Sequence, residues 1–100
     1  MTMTRPLMLA ALLLTASPWC AAQDSMLGRN LAATCANCHG TNGVSKAEVA
    51  SLAGLPADRI VTAMAGFKTG APATVMHQIA KGYTDDQIKL MAAYFAAQKK

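Results

Sequence analysis

The sequence contains few charged and few aromatic residues. Charged side chains make up 14% and aromatic side chains 5% of the 100 residues, whereas 53% are hydrophobic. Such a composition argues against a disordered chain, and the length allows one small domain. Nine Lys and Arg against five Asp and Glu give a net charge of +4. Apart from Lys99 and Lys100 the basic residues are scattered, so we do not expect nucleic-acid binding.

Regular repeats are also lacking. The seven Gly residues show no three-residue period, and Gly or Pro interrupts each long apolar stretch. These two observations exclude collagen-like and coiled-coil proteins.

A short apolar run occupies residues 7–14, after Arg5, and Pro18 and the small residues Ala21 and Ala22 follow it. A leading positive charge, a short apolar run and small residues at the exit are the parts of a secretory signal peptide. The run is too short to span a bilayer. We therefore expect residues 1–22 to be a cleaved signal peptide and residues 23–100 to be a mature domain in the periplasm, without stable membrane insertion.

Two other interpretations of the N-terminal segment are weaker. A buried core helix rarely combines a single leading charge with a small-residue exit. A lipoprotein signal at Cys20 would need small and aliphatic residues before it, where the sequence has Ser17, Pro18 and Trp19.

Cleavage after Ala22 would leave two of the three cysteines, Cys35 and Cys38. A disulfide between them would close a very short loop and constrain the unfolded chain little. An apolar core in a domain of this size contributes only about 3 to 5 kcal/mol, so we expect a further stabilising element.

Residues 35–39 read Cys-Ala-Asn-Cys-His. This C-x-x-C-H order is the pattern of c-type haem attachment, in which two thiols join the porphyrin through its vinyl groups. The adjacent imidazole can then bind the iron. The motif predicts one covalent haem c on Cys35 and Cys38, with His39 as the proximal iron ligand.

Two other chemistries also use closely spaced cysteines. A thioredoxin-like redox pair belongs to a βαβ context, which no strand pattern supplies here. A zinc site needs four ligands, and His77 is the only other histidine in the sequence. Both interpretations are weaker than haem attachment.

The methionines offer a second iron ligand. Met64 and Met91 each lie in a helical apolar stripe, where methionine usually fills a core gap. Met76 follows a proline-containing connector, and we expect it to be the distal ligand. His77 is the alternative and would give a bis-histidine iron of lower potential, because methionine ligation raises the potential.

Helical periodicity dominates the mature domain, and no segment alternates as a strand does, so we expect an all-α fold. The expected elements are a first helix capped by Asp24 or Ser25, a loop over residues 41–54, a helix opened by Pro56, a short helix near residues 74–81, and a last helix with a Thr84–Gln87 capping box.

We expect the first and last helices to cross at Gly28, with Tyr94 or Met91 opposite. The haem would lie at the centre of the core, so that the chain without it is largely unfolded. The apolar residues expected to close over the porphyrin are Leu52, Ile60, Met64, Val75, Ile79 and Ile88.

Gly28, Leu31 and residues 35–43, together with residues 76–88 and 91–95, resemble the two halves of small bacterial class I cytochromes c. Within that family the sequence is most similar to the cytochrome subunit of flavocytochrome c sulfide dehydrogenases. The resemblance implies the class I cytochrome c fold with helices around one haem, and Met76 as the distal ligand.

The resemblance also implies a function in electron transport. The protein would pass single electrons to or from a redox protein, as the haem subunit of a sulfide-oxidising flavoprotein or as a free-standing soluble carrier. A five-coordinate haem enzyme or sensor remains open if Met76 does not bind.

Some polar positions carry weaker expectations. Lys46, Lys68 and Lys81 are candidates for docking an acidic partner, although single lysines are usually only solvated. Where the family often has a proline, this chain has Ala50. We expect a backbone carbonyl from this region to hold the His39 ring, but the sequence does not indicate which carbonyl.

Overall fold

The computed structural model describes residues 19–70 and 74–100, with side chains from residue 22 onwards. Most of the predicted signal peptide and the connector at residues 71–73 lie outside these ranges.

Five α-helices make up the described structure, and no strand occurs in these two ranges. The all-α expectation is therefore confirmed. The helices are α1 (Trp19–Ala32), α2 (Ala36–His39), α3 (Ala57–Thr69), α4 (Val75–Ala80) and α5 (Asp85–Ala96), with 3-10 turns at Ala33–Cys35 and Thr41–Gly43. None of these helices has the length and hydropathy to cross a membrane.

Helix α1 begins earlier than predicted. It starts at Trp19, so neither Asp24 nor Ser25 caps it. The Ser25 hydroxyl instead donates to the Ala22 carbonyl one turn back, at 2.9 Å. A serine inside a helix commonly bonds in this way, so a capping residue type does not by itself mark a helix start. The helical path continues through Ala33–Cys35 into α2 and carries both cysteines near its end, as expected.

Helix α5 follows the prediction closely. The Gln87 side-chain oxygen accepts a hydrogen bond from the Thr84 backbone amide at 2.9 Å. The Gln87 backbone amide donates to the Thr84 hydroxyl at 3.1 Å, and the two bonds form the expected capping box. Asp85 and Asp86 occupy the first turn, where carboxylates complement the helix dipole. The four residues of the predicted inner face are all buried: Ile88, Met91, Ala92 and Phe95.

Helices α1 and α5 meet at Gly28, as expected, but the residue opposite is Leu90 rather than Tyr94 or Met91. A Cβ added at Gly28 would lie 2.7 Å from the Leu90 carbonyl oxygen. Only glycine lets the two backbones approach this closely. Helix α5 also packs on α3, and α4 packs on α3.

The core lies between α1, α3 and α5, with one contribution from α4. Its buried members are Ala32, Ile60, Met64, Ala80, Ile88, Met91, Ala92 and Phe95. Of the residues expected to line the porphyrin, Leu52 packs against this cluster. Val75 and Ile79, which were also expected to line the porphyrin, are 66% and 37% exposed, so the protein chain itself does not bury them. Six-residue α4 buries only Ala80.

Candidate haem-binding site

The two candidate attachment cysteines lie on one continuous helical segment. Cys35 ends the 3-10 turn with φ −72° and ψ −22°, and Cys38 lies in α2. Residues three positions apart on a helix are surface neighbours. Both thiols are free, Cys35 half-buried and Cys38 exposed. The segment can therefore offer two sulfurs from one side.

Gly40 ends this segment. Its φ of +85° lies in a region that suits glycine, and a Cβ there would lie 1.9 Å from the Val44 carbonyl oxygen. The chain turns sharply at this point and enters the loop over residues 44–56. That turn brings the loop back to the face of His39.

The Cys35 sulfur has a specific polar environment. Burial raises the pKa of the Cys35 thiol, and a hydrogen bond with the Thr34 side chain opposes this effect. Thr34 also donates to the Leu31 carbonyl at 3.0 Å, and its oxygen lies 2.6 Å from the Tyr83 hydroxyl. The Tyr83–Thr34 contact ties the turn before α5 to the cysteine segment. Nothing in the local sequence pattern indicated this contact.

The His39 ring is fixed by one backbone carbonyl. Its Nδ1 lies 2.6 Å from the Ala50 oxygen. Because a carbonyl oxygen only accepts hydrogen bonds, Nδ1 must carry a hydrogen and donate it. In the neutral ring Nε2 then has a free lone pair, which is the form that binds a metal. The carbonyl that the sequence left undetermined is thus that of Ala50.

Hydrogen bonds hold the loop that carries Ala50. The Gly43 carbonyl accepts from the Leu52 amide at 2.8 Å and from the Ala53 amide at 3.1 Å. The Ser45 amide donates to the Ser51 hydroxyl at 2.9 Å. Each of these bonds joins a residue before Ala50 to a residue after it. The loop therefore has a defined path although it lacks regular secondary structure.

A tyrosine of α5 adds a contact to the same region. The Tyr94 hydroxyl donates to the Asn42 side-chain oxygen. Asn42 lies in the Thr41–Gly43 turn and has a positive φ of 55°, a conformation that asparagine tolerates better than most residues. The sequence did not predict this bond.

Met76 lies on α4, half-buried, and packs against the core cluster. Met64 and Met91 are core residues with 8% and 3% exposure. Their burial agrees with the gap-filling role expected for them. Met76 is therefore less enclosed than either of them.

His77 differs from Met76 in that its ring is engaged with its own helix terminus. The Thr74 amide donates to His77 Nδ1 at 3.3 Å, and the Thr74 hydroxyl lies 2.9 Å from the same atom. Since an amide N–H only donates, Nδ1 accepts and Nε2 carries the hydrogen in the neutral ring. The ring also meets Phe67 edge-on, with centroids 5.1 Å apart. Neither nitrogen is left with a free lone pair in this arrangement.

The candidate docking lysines are not equivalent. The Lys68 ammonium donates to the Tyr83 carbonyl at 2.7 Å and pairs with the Asp85 carboxylate at 3.1 Å. It therefore joins α3 to the start of α5 and is not simply solvated. Lys46 and Lys81 are exposed.

These residues form a donor set that fits haem c. The segment supplies two free thiols three residues apart, followed directly by an imidazole whose tautomer leaves Nε2 able to bind iron. Haem attachment needs both features together. No other histidine in the sequence has a cysteine beside it.

Comparison with known proteins gives three relevant relatives. A cytochrome c-553 of Desulfomicrobium norvegicum is 33% identical over 64 residues, which are 60% of this chain and 80% of that protein. A cytochrome c-554(547) of Halothiobacillus neapolitanus is 32% identical over 91 residues, covering 78% of this chain and 100% of that protein. The chain belongs to the cytochrome c family.

The third relative is the cytochrome subunit of sulfide dehydrogenase from Chlorobaculum tepidum, which is 45% identical over 69 residues. The match covers 68% of this cytochrome and 63% of that subunit, so our chain spans less than two thirds of the relative's length. A scan against protein-family models gives no match. Membership of the family means that the chain is an electron-transfer protein with covalent haem c.

Proposed function

We propose that this cytochrome is a periplasmic carrier of single electrons and works as the haem subunit of a sulfide-oxidising flavoprotein complex. Cys35 and Cys38 hold the haem covalently, His39 is the proximal iron ligand and Met76 the distal one. The observation that carries the proposal is the bond between His39 Nδ1 and the Ala50 carbonyl, which leaves Nε2 able to bind iron. When bound, the haem iron supplies the one-electron change.

The choice of Met76 over His77 rests on their hydrogen bonds. His77 uses Nδ1 to accept from Thr74 at the start of α4. To bind iron through Nε2, the ring would have to move its hydrogen to Nδ1 and give up the Thr74 amide bond. The thioether of Met76 has no such competing bond to lose. With Met76 and His39 both bound, no iron position is open to a substrate.

The sulfide-oxidising partner is proposed from the Chlorobaculum tepidum relative, whose name states that it is a subunit of a sulfide dehydrogenase. The exposed apolar side chains of Val75 and Ile79 lie on the same short helix as Met76. A partner that covers this helix would approach the distal ligand. Such a contact suits transfer of an electron to or from a flavoprotein.

The periplasmic location rests on the sequence of residues 1–22. The positive charge, apolar run and small-residue exit favour export and cleavage after Ala22. N-terminal sequencing of the purified protein tests this part, because the native protein should begin at Gln23.

The haem assignment is tested by intact mass and by spectroscopy of the exported protein. The mass should exceed that of the mature chain by one haem, and a Cys35→Ala, Cys38→Ala double variant should lose this increment. Carbon monoxide added to the reduced protein at neutral pH should bind slowly and incompletely, because Met76 holds the sixth position. Fast, complete binding would instead support a five-coordinate enzyme or sensor.

The partner assignment is tested by mild purification from the native periplasm. Co-elution with a flavin-containing polypeptide, together with haem reduction on addition of sulfide, would support the subunit role. A monomer that carries haem but no flavin partner, and that sulfide does not reduce, would indicate a free-standing carrier.

A further inference from the structure

The Ala50 carbonyl makes a short contact with His39 from an exposed, irregular segment. The Nδ1–O distance is 2.6 Å, although Ala50 lies outside any helix and is exposed. Among the described residues, the Ala50 amide itself forms no hydrogen bond. Another group must therefore hold this peptide in position.

The residue after Ala50 supplies such a group. The Ser51 hydroxyl accepts from the Ser45 amide at 2.9 Å, which closes the loop between residues 45 and 51. The next two residues, Leu52 and Ala53, donate to the Gly43 carbonyl. Of the bonds that close this loop, the Ser51 bond is the one nearest to Ala50 in sequence.

The second serine of this loop has a different role. The Ser45 hydroxyl donates to the Ala47 carbonyl at 3.2 Å and accepts from the Ala47 amide at 3.3 Å. These bonds are local and do not reach residues 50 or 51. The bond that crosses the loop uses the backbone amide of Ser45, which any side chain at that position retains.

We propose that Ser51 is a positioning residue for His39: its hydroxyl closes the loop and holds the Ala50 carbonyl on His39 Nδ1, and this sets how strongly the imidazole donates to the iron. The inference rests on the proposed role of His39 as a ligand. It assigns control of the reduction potential in part to Ser51, a residue outside the C-x-x-C-H motif.

The direction of the effect follows from ligand chemistry. Donation of the Nδ1 hydrogen to a carbonyl makes the imidazole a stronger donor through Nε2. A stronger donor favours the oxidised iron and lowers the reduction potential. Loss of the Ser51 hydroxyl should loosen the carbonyl and raise the potential. It should also expose the Nδ1 hydrogen to solvent more often, by about two- to tenfold, as loss of one neutral hydrogen bond allows.

The test compares three variants of the full haem-loaded protein with the parent: Ser51→Val, Ser51→Thr and Ser45→Ala. Valine has a methyl group where threonine has the hydroxyl, so comparing these two variants isolates the hydrogen bond. Ser51 borders a cavity of ≈ 240 Å³ with Val44, Ala53, Leu55 and Lys100, which gives the added methyl room. The readouts are the reduction potential and, by NMR, the exchange rate of the His39 Nδ1 hydrogen.

We expect Ser51→Val to raise the potential and to speed Nδ1 exchange by about two- to tenfold. Ser51→Thr and Ser45→Ala should match the parent in both measurements. The inference is overturned if Ser51→Val and Ser45→Ala have the same reduction potential and the same Nδ1 exchange rate, while the parent carries covalent haem with His39 bound. The proposed function would still stand in that case. A parent without covalent haem would overturn both. If Ser51→Val does not fold, Ser51→Ala, which removes the same hydroxyl without adding a methyl, replaces it with the same expectations.

Discussion

The two histidines of this cytochrome occupy opposite hydrogen-bonding situations. His39 donates from Nδ1 to the Ala50 carbonyl, whereas His77 accepts at Nδ1 from the Thr74 amide. A carbonyl and an amide N–H therefore impose opposite tautomers on the same side chain. The comparison shows that a backbone partner, rather than the residue type, decides which histidine has an Nε2 lone pair for iron.

The segments that carry the two rings also differ in how they are held. Hydrogen bonds to Gly43 and Ser51 fix the loop facing His39. Helix α4, by contrast, is six residues long and leaves Val75 and Ile79 exposed. We therefore expect substitutions on the His39 side to affect folding most, and those on the α4 side to affect iron ligation or local stability.

The largest effect is expected for Gly40→Ala, which alters the turn after His39. A Cβ there would clash with the Val44 carbonyl, and the φ of +85° is unfavourable for alanine. Together, strain and overpacking should lower the free energy of unfolding by about 4 kcal/mol. Denaturant unfolding measures this. The control is Gly66→Ala, inside α3 with nothing within 4 Å, which should be neutral or stabilising by about 0.5–1 kcal/mol. Equal losses in the two variants would contradict the role given to Gly40.

A second pair of variants separates ligation from packing. Met76→Ala should allow rapid carbon monoxide binding and lower the reduction potential, because the thioether ligand raises it. Met64→Ala removes a side chain that is 8% exposed and should cost about 2 to 5 kcal/mol of stability with little change in potential. Potentiometry and denaturant unfolding distinguish the two. Identical potentials in both variants would show that Met76 is not a ligand.

A smaller effect is expected for His77→Ala. The change removes the acceptor of the Thr74 amide and the edge contact with Phe67. We expect a stability loss of about 1 kcal/mol, the usual cost of a lost helix cap. The visible spectrum and resistance to carbon monoxide should stay as in the parent. Rapid carbon monoxide binding by this variant would identify His77 as the ligand.

The smallest effect is expected for Lys68→Met. The change removes the bond to the Tyr83 carbonyl and the ion pair with Asp85, whose carboxylate side chain is 85% exposed. Because the Asp85 end of the ion pair is solvated, the loss should be no more than about 1 kcal/mol. Thermal unfolding measures this stability loss. The control is Lys89→Met, at an exposed position on α5. A larger loss at Lys89 would argue against the contact.

The sequence predicted features that depend on neighbouring residues. The Thr84–Gln87 capping box and the buried face of α5 follow from spacings within one helix. The C-x-x-C-H motif is likewise local, and the helical segment that carries it was expected. The site residues Cys35, Cys38, His39 and Met76 remain predictions until the experiments above are done.

The features that escaped prediction involve partners distant in sequence. The Lys68 contact with the segment before α5 and the Tyr83–Thr34 contact join elements that only the tertiary fold brings together. Leu90, rather than Tyr94 or Met91, faces Gly28 because the crossing of α1 and α5 sets the register. The start of α1 was misplaced because a serine can bond within a helix as well as cap it.

The close approach of Gly28 to Leu90 has a consequence for biosynthesis. Helix α1 is made before its partner α5, so α1 stays without this packing surface until α5 has been synthesised. Contacts between such distant segments form later than local contacts, because a long loop must close first. In the export that we propose, a chain whose α1 and α5 have not yet met can pass through a translocation channel and present its cysteines for haem attachment.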